Sequence, residues 1–65
     1  MKYKVGDILS YEYQKTTIYY IIREVHNLES FKGYHVNPLD EFDKALYVFR
    51  ESDASLLKMK KVSWN

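Results

Sequence analysis

Residues 17–25 constrain the fold more than any other segment, because β-branched or aromatic side chains occupy nearly every position. Such residues favour extended backbone. Apolar side chains fall on both sides of the segment until Arg23 and Glu24, so the alternation of a half-buried strand is missing. A strand that is apolar on both faces is typically central, bent or bulged. We therefore expect a central strand with an irregularity.

Four further segments have the patterns of short strands. They are residues 9–13, 31–37, 45–50 and 59–64. Residues 9–13 and 31–37 alternate apolar and polar side chains. Gly33 lies in the middle of its segment, which predicts a bulge or a sharp bend there. The polar stretch 26–30 is predicted to be a loop, which places His26 outside the strands.

A helix over residues 39–57 is the competing interpretation, since several apolar residues there have i, i+3, i+4 spacing. The aromatic and β-branched residues at 47–49 are poor helix formers, so we favour a strand over residues 45–50. Residues 39–43 stay open between a helical turn and a loop. Residues 52–57 begin with N-cap candidates, and they predict a short 3₁₀ turn.

These elements predict an all-β fold, a small five-stranded antiparallel barrel with a short 3₁₀ turn before the last strand. A chain of 65 residues has room for one domain, residues 1–65. The layout resembles the SH3-like small barrels. The resemblance is carried by Val5-Gly6-Asp7, by residues 19–25, and by residues 49–57 leading into 59–62.

The resemblance does not extend to the peptide-binding signature of SH3 domains. The sequence has no ALYDY-like opening, and no Trp stands at the hairpin between the second and third strands. Recognition of PxxP peptides is therefore not implied.

Composition limits the classes of function. Ten Lys and Arg against nine Asp and Glu leave a net charge of +1, so no strong basic field steers the chain to nucleic acid. The absence of Cys excludes thiolate metal sites and disulfides. The N-terminal residues lack the apolar segment of a signal peptide, and no apolar run is long enough to span a membrane. We expect a cytoplasmic protein with no membrane partner.

No residue pattern indicates catalysis or a cofactor. His26 and His35 are nine residues apart without an HExxH motif, so they are expected to have no chemical role. Asp40, Glu41 and Asp43 lack the spacing of a calcium loop. They predict a solvated acidic loop that can contact a basic partner. The prediction is no enzyme, no cofactor and no metal site.

Seven tyrosines are more than so small a core can bury. Alternation assigns Tyr11, Tyr20 and Tyr34 to the core, leaves Tyr47 open, and leaves Tyr3, Tyr13 and Tyr19 at least partly exposed. Tyrosine is a good strand residue, but exposed tyrosine is also enriched at protein interfaces. The predicted protein interface consists of Tyr11, Tyr13, Tyr19 and Glu12.

The lysines near both ends of the chain support a second hypothesis. If the first and last strands pair, these lysines share one surface with an aromatic side chain. The candidate nucleic-acid residues are Lys2, Lys4, Lys58, Lys60, Lys61 and Trp64. The simpler interpretation is that these lysines aid solubility and protect an edge strand.

The favoured hypothesis is a small non-catalytic protein-interaction module. By analogy of size and fold, it is of the kind with which a phage or mobile element modulates a host bacterial protein. The alternative is a nucleic-acid-binding barrel. A homodimer through an exposed strand edge stays open.

Overall fold

A computed structural model gives the structure of the chain and describes residues 2–41 and 46–62. Its elements are β1 (Ile8–Tyr13), β2 (Thr16–Asn27), β3 (Lys32–Pro38), a 3₁₀ turn (Leu39–Glu41), β4 (Tyr47–Arg50), α1 (Ala54–Leu57) and β5 (Lys60–Lys61). The strand predicted over residues 45–50 is confirmed from Tyr47 onward. The helical alternative is wrong there. The predicted strand ends at 45 and 63–64 lie outside the described residues.

The five strands form one antiparallel sheet in the order β4-β3-β2-β1-β5. The all-β prediction is confirmed, and β2 lies at the centre of the sheet as expected. Within the described part of the chain, β4 and β5 are the two edges and do not pair with each other. The sheet is thus open, and the predicted closed barrel is not confirmed. Both edge strands are short, since β4 has four residues and β5 has two.

The irregularity expected in the central strand is a β-bulge. Ile22 pairs with Val36 and Glu24 pairs with His35, so Arg23 is an extra residue in β2. The bulge reverses the alternation of side chains along the strand. For this reason, β2 contributes core residues both before and after Arg23, but the alternation of side chains is interrupted between them.

Gly33 has a different role from the bulge or bend that its position predicts. It pairs in regular register with His26 on one side and Arg50 on the other. A Cβ atom at this position would overlap the carbonyl oxygen of Phe49 and lie 2.7 Å from the ring of Phe31. The missing side chain therefore permits β4 to approach β3 closely.

The turn before the last strand is α-helical, so the predicted 3₁₀ turn is wrong in type. The backbone N–H of Leu57 donates to the carbonyl of Asp53 at 3.1 Å, which is the α-helical spacing. The next two donors, Lys58 and Met59, bond three residues back, and this tightens the end. The 3₁₀ turn lies instead at Leu39–Glu41, within the segment left open between turn and loop.

The core lies on one face of the sheet and is covered by residues outside the strands. Its fully buried side chains are Leu9, Ile22, Tyr34 and Val36. Tyr3, Leu56 and Met59 pack over them from the N-terminal segment, α1 and the residue before β5. Tyr3 is only 5% exposed, so its predicted exposure is wrong. Its ring packs against Tyr34, with ring centroids 5.5 Å apart.

None of the helices in the described ranges has the length and apolar character needed to cross a membrane.

Candidate functional site

Two tyrosines of the first hairpin stack on the core side of the sheet. Tyr11 and Tyr13 follow Leu9 at intervals of two residues, so all three side chains point to the same face. The rings of Tyr11 and Tyr13 are nearly parallel, with centroids 6.3 Å apart. Tyr11 is half-buried and packs against the core, as expected. Tyr13 is 54% exposed, which confirms its predicted exposure.

Tyr20 continues this row of aromatic rings toward β4. It pairs with Leu9, which makes Tyr11 its diagonal neighbour on the same face. The Tyr20 ring meets Tyr47 edge-on at 6.2 Å and Phe49 at 5.9 Å. Tyr47 is 45% exposed. We call Tyr11, Tyr13, Tyr20 and Tyr47 the tyrosine surface.

An acidic residue lies beside the tyrosine surface. Burial raises the pKa of the Tyr20 hydroxyl, and the neighbouring acidic groups of Tyr47, Tyr11 and Asp40 raise it further. Asp40 belongs to the 3₁₀ turn and is exposed. Its carboxylate gives this end of the aromatic row a negative charge.

The interface predicted from the sequence is divided between two faces. Tyr11 and Tyr13 lie on the core side, whereas Tyr19 pairs with Ser10 and points to the opposite side. Glu12 also points to that opposite side. The structure therefore brings two of the four predicted residues together, and it adds Tyr20 and Tyr47 to them.

The terminal lysines are distributed along the β1–β5 edge. The expected pairing of first and last strands is present, with Ser10 opposite Lys60. Lys58 and Lys60 line a shallow depression that also contains Glu12. The ammonium group of Lys61 lies 3.6 Å from a carboxylate oxygen of Asp7. Two acidic side chains thus accompany three of these lysines.

The other candidate nucleic-acid residues lie apart from that depression or outside the description. Lys4 is exposed, and Lys2 places its ammonium group 5.4 Å from the ring centroid of Tyr3. Trp64 lies outside the described residues.

Glu24, His26 and His35 form a cluster on the face opposite the tyrosine surface. The cluster is here called the histidine–glutamate cluster. Glu24 Oε2 lies 3.2 Å from His26 Nε2 and 3.0 Å from His35 Nδ1. One potential ligand atom of each side chain lies within 4.8 Å of the other two.

Sequence reasoning missed this cluster for two reasons. It placed His26 in a loop, whereas β2 extends through Asn27. It also had no means of knowing that Arg23 is bulged out, which brings Glu24 opposite His35. A usable signal is the Glu-x-His spacing at Glu24 and His26, which puts two ligand-type side chains on one face of a strand.

No protein-family model, curated protein or solved structure matches the chain.

Proposed function

We propose that this chain is a small non-catalytic binding protein whose tyrosine surface binds a basic segment of a protein partner. One observation carries the proposal. The exposed rings of Tyr13 and Tyr47 flank the buried Tyr20 on a single face, beside the carboxylate of Asp40. By analogy of size and fold alone, this suits a phage or mobile-element protein that modulates a bacterial host protein.

The rings of the tyrosine surface lose little freedom when a partner binds. Tyr11 and Tyr13 already stack on each other, and Tyr47 already packs on the edge of Tyr20. Preordered aromatic side chains give a large contact area at a low entropic cost. This preordered arrangement favours a role in binding over the interpretation that the tyrosines are there only as good strand residues.

Aromatic faces beside a carboxylate suit a cationic side chain. An Arg or Lys placed over a tyrosine ring gains about 0.5–2 kcal/mol, depending on how far it is desolvated. Asp40 supplies the complementary charge, which raises specificity and association rate. Glu41 and Asp43 follow it in the sequence and extend the acidic character of this segment.

We also infer that the open sheet curves into an SH3-like barrel around the core. In support, the chain leaves the edge strand β4, passes through α1 and enters the opposite edge strand β5. Leu56 of α1 is buried against core residues of the sheet. Helix α1 then takes the place of direct pairing between the two edges.

Nucleic-acid binding is the less favoured function, since acidic side chains stand among the lysines. Lys61 lies near Asp7, and Glu12 lies in the depression with Lys58 and Lys60. A phosphate backbone approaching this edge meets both signs of charge, which weakens the electrostatic attraction that such binding needs.

The proposal is tested by fluorescence anisotropy with labelled peptides of equal length that are basic, neutral or acidic. Single-stranded and duplex oligonucleotides serve as competing probes. Tyr47→Ser and Asp40→Asn remove a ring and the charge from the proposed site. Val48→Ser is the matched control, because Val48 is an exposed residue of β4 whose side chain points to the face opposite Tyr47.

We expect the basic peptide to bind best, and Tyr47→Ser and Asp40→Asn to weaken binding while Val48→Ser leaves it unchanged. Thermal unfolding of each variant establishes that the fold is retained. Equal binding of all three peptides, or a Val48→Ser effect as large as that of Tyr47→Ser, would overturn the proposal. Tighter binding to an oligonucleotide than to any peptide would favour the nucleic-acid function instead. Light scattering of the free protein shows whether it is a monomer or a homodimer.

A further inference from the structure

We propose that the histidine–glutamate cluster binds a divalent transition-metal ion of the Zn²⁺ type. Two imidazole nitrogens and one carboxylate oxygen form a known zinc ligand set, one that leaves at least one coordination position open. The site is independent of the tyrosine surface, because it lies on the other face of the sheet. Either proposal can therefore fail without the other.

Paired strands hold the three side chains in place. Glu24 and His26 are two residues apart in β2 and share a face, and His35 is the direct cross-strand partner of Glu24. The bulge at Arg23 sets this register. If β2 and β3 paired regularly, without a bulge, Arg23 would stand opposite His35, and a cation would replace the carboxylate.

The separations between ligand atoms are close to those around a bound zinc ion. Ligand bonds of about 2.0–2.1 Å in a tetrahedron place neighbouring ligand atoms roughly 3.3 Å apart. The carboxylate oxygen of Glu24 lies 3.2 Å from His26 Nε2 and 3.0 Å from His35 Nδ1. Two of the three edges thus need almost no change. The third edge, between the two ring nitrogens, is no longer than 4.8 Å, and it shortens by rotation of rings whose centroids are already 4.5 Å apart.

Neighbouring side chains contact the ring of His26 and the two nearby arginines. The ring of Phe31 packs against His26, with centroids 5.9 Å apart. The guanidinium group of Arg50 lies over the Phe31 ring, 5.5 Å from its centroid. Arg23 donates a hydrogen bond to Asn37 Oδ1 at 3.1 Å. Both arginines therefore have partners other than Glu24.

The cluster is open to solvent, which defines the kind of site it forms. Glu24 is exposed, and both histidines are half-buried. With three protein ligands, a bound ion keeps a position for water or for a ligand atom of another molecule. Among divalent first-row ions, Cu²⁺ binds such nitrogen and oxygen ligands more tightly than Zn²⁺, and Mn²⁺ binds them more weakly.

Isothermal titration of the untagged, chelator-treated protein with ZnCl₂ tests the proposal. We expect one ion per chain. The visible spectrum of the Co²⁺-loaded protein reports the coordination number. Long-range ¹H–¹⁵N spectra identify Nε2 of His26 and Nδ1 of His35 as the ligating atoms, which binding elsewhere in the chain would not produce.

Glu24→Gln and His35→Gln remove one ligand each, and Glu12→Gln removes a carboxylate from β1 as the matched control. Loss of an outer-shell partner alone costs about 10- to 100-fold in metal affinity, so each ligand variant should lose at least about tenfold. Glu12→Gln should bind Zn²⁺ like the parent. The proposal is wrong if no saturable binding occurs, if Glu24→Gln keeps the parent affinity, or if the ring nitrogens show no change. Thermal unfolding without metal shows that each variant is folded.

Discussion

Tyr34 is fully buried, and its hydroxyl oxygen accepts a hydrogen bond from the backbone N–H of Tyr3 at 3.2 Å. This contact ties the N-terminal segment to β3. The same residue type is 54% exposed at Tyr13 and 45% exposed at Tyr47. The tyrosines therefore differ by position, since some complete the core and others leave their rings available to a partner.

Replacing Tyr34 with Phe should destabilise the protein although the ring is kept. The buried N–H of Tyr3 would lose its acceptor, at a cost of about 1–3 kcal/mol in the free energy of unfolding. Urea denaturation measures this loss. Tyr13→Phe removes an exposed hydroxyl and should change the stability by less than about 0.5 kcal/mol. Equal effects of the two substitutions would contradict the role assigned to Tyr34.

Tyr20 should make the stability depend on pH in the alkaline range. Its pKa in the folded protein is raised above the ordinary value of about 10, chiefly by burial. The folded state then holds the proton more tightly than the unfolded state, so this contribution is complete below pH 10 and is lost as the pH rises through the folded pKa. Urea midpoints measured across this range should fall less steeply for Tyr20→Phe than for the parent. Identical slopes would contradict this assignment.

At the scale of elements, the close contact of β3 with β4 depends on a single glycine. The carbonyl oxygen of Phe49 and the Cα of Arg50 belong to the backbone, so they cannot rotate away from an added methyl group. Edge strand β4 carries Tyr47, which connects this contact to the tyrosine surface.

Gly33→Ala should separate β4 from β3 and destabilise the protein by about 1–3 kcal/mol, the usual cost of overpacking. Chemical denaturation gives the magnitude, and hydrogen exchange should show lost protection in β4 first. Lys32→Ala, at the exposed start of the same strand, is the control and should be nearly neutral. Unchanged protection in β4 would refute the role of Gly33.

Sequence patterns predicted the strands better than their irregularities. Alternation located β1 and β3, and the residues apolar on both sides indicated the bulge in β2. They did not identify Arg23 as its position, because a bulge depends on the pairing partner. Gly33 was misassigned for the same reason, since the atoms that exclude a side chain come from β4.

The candidate sites were predictable only in part. The exposure of Tyr13 and Tyr19 follows from sequence. Their separation onto different faces follows only from the hairpin register, in which Tyr19 pairs with Ser10. Tyr47 belongs to the tyrosine surface because its ring contacts Tyr20, and a contact between distant residues cannot be predicted from a local sequence pattern.

At the scale of the whole molecule, one sheet presents two unlike faces. The core face carries the tyrosine surface beside Asp40, and the outer face carries Glu24, His26 and His35. The proposed protein partner and the proposed metal ion therefore use different faces of the same sheet.

Titration of the ¹⁵N-labelled protein with the basic peptide, followed by NMR, tests whether the tyrosine surface binds a basic segment. We predict that amide shifts concentrate at Tyr11, Tyr13, Tyr20, Asp40 and Tyr47. The amides of the histidine–glutamate cluster, on the other face, should hardly move. Shifts centred on that cluster or on the β1–β5 edge, or no saturable shift at all, would contradict it.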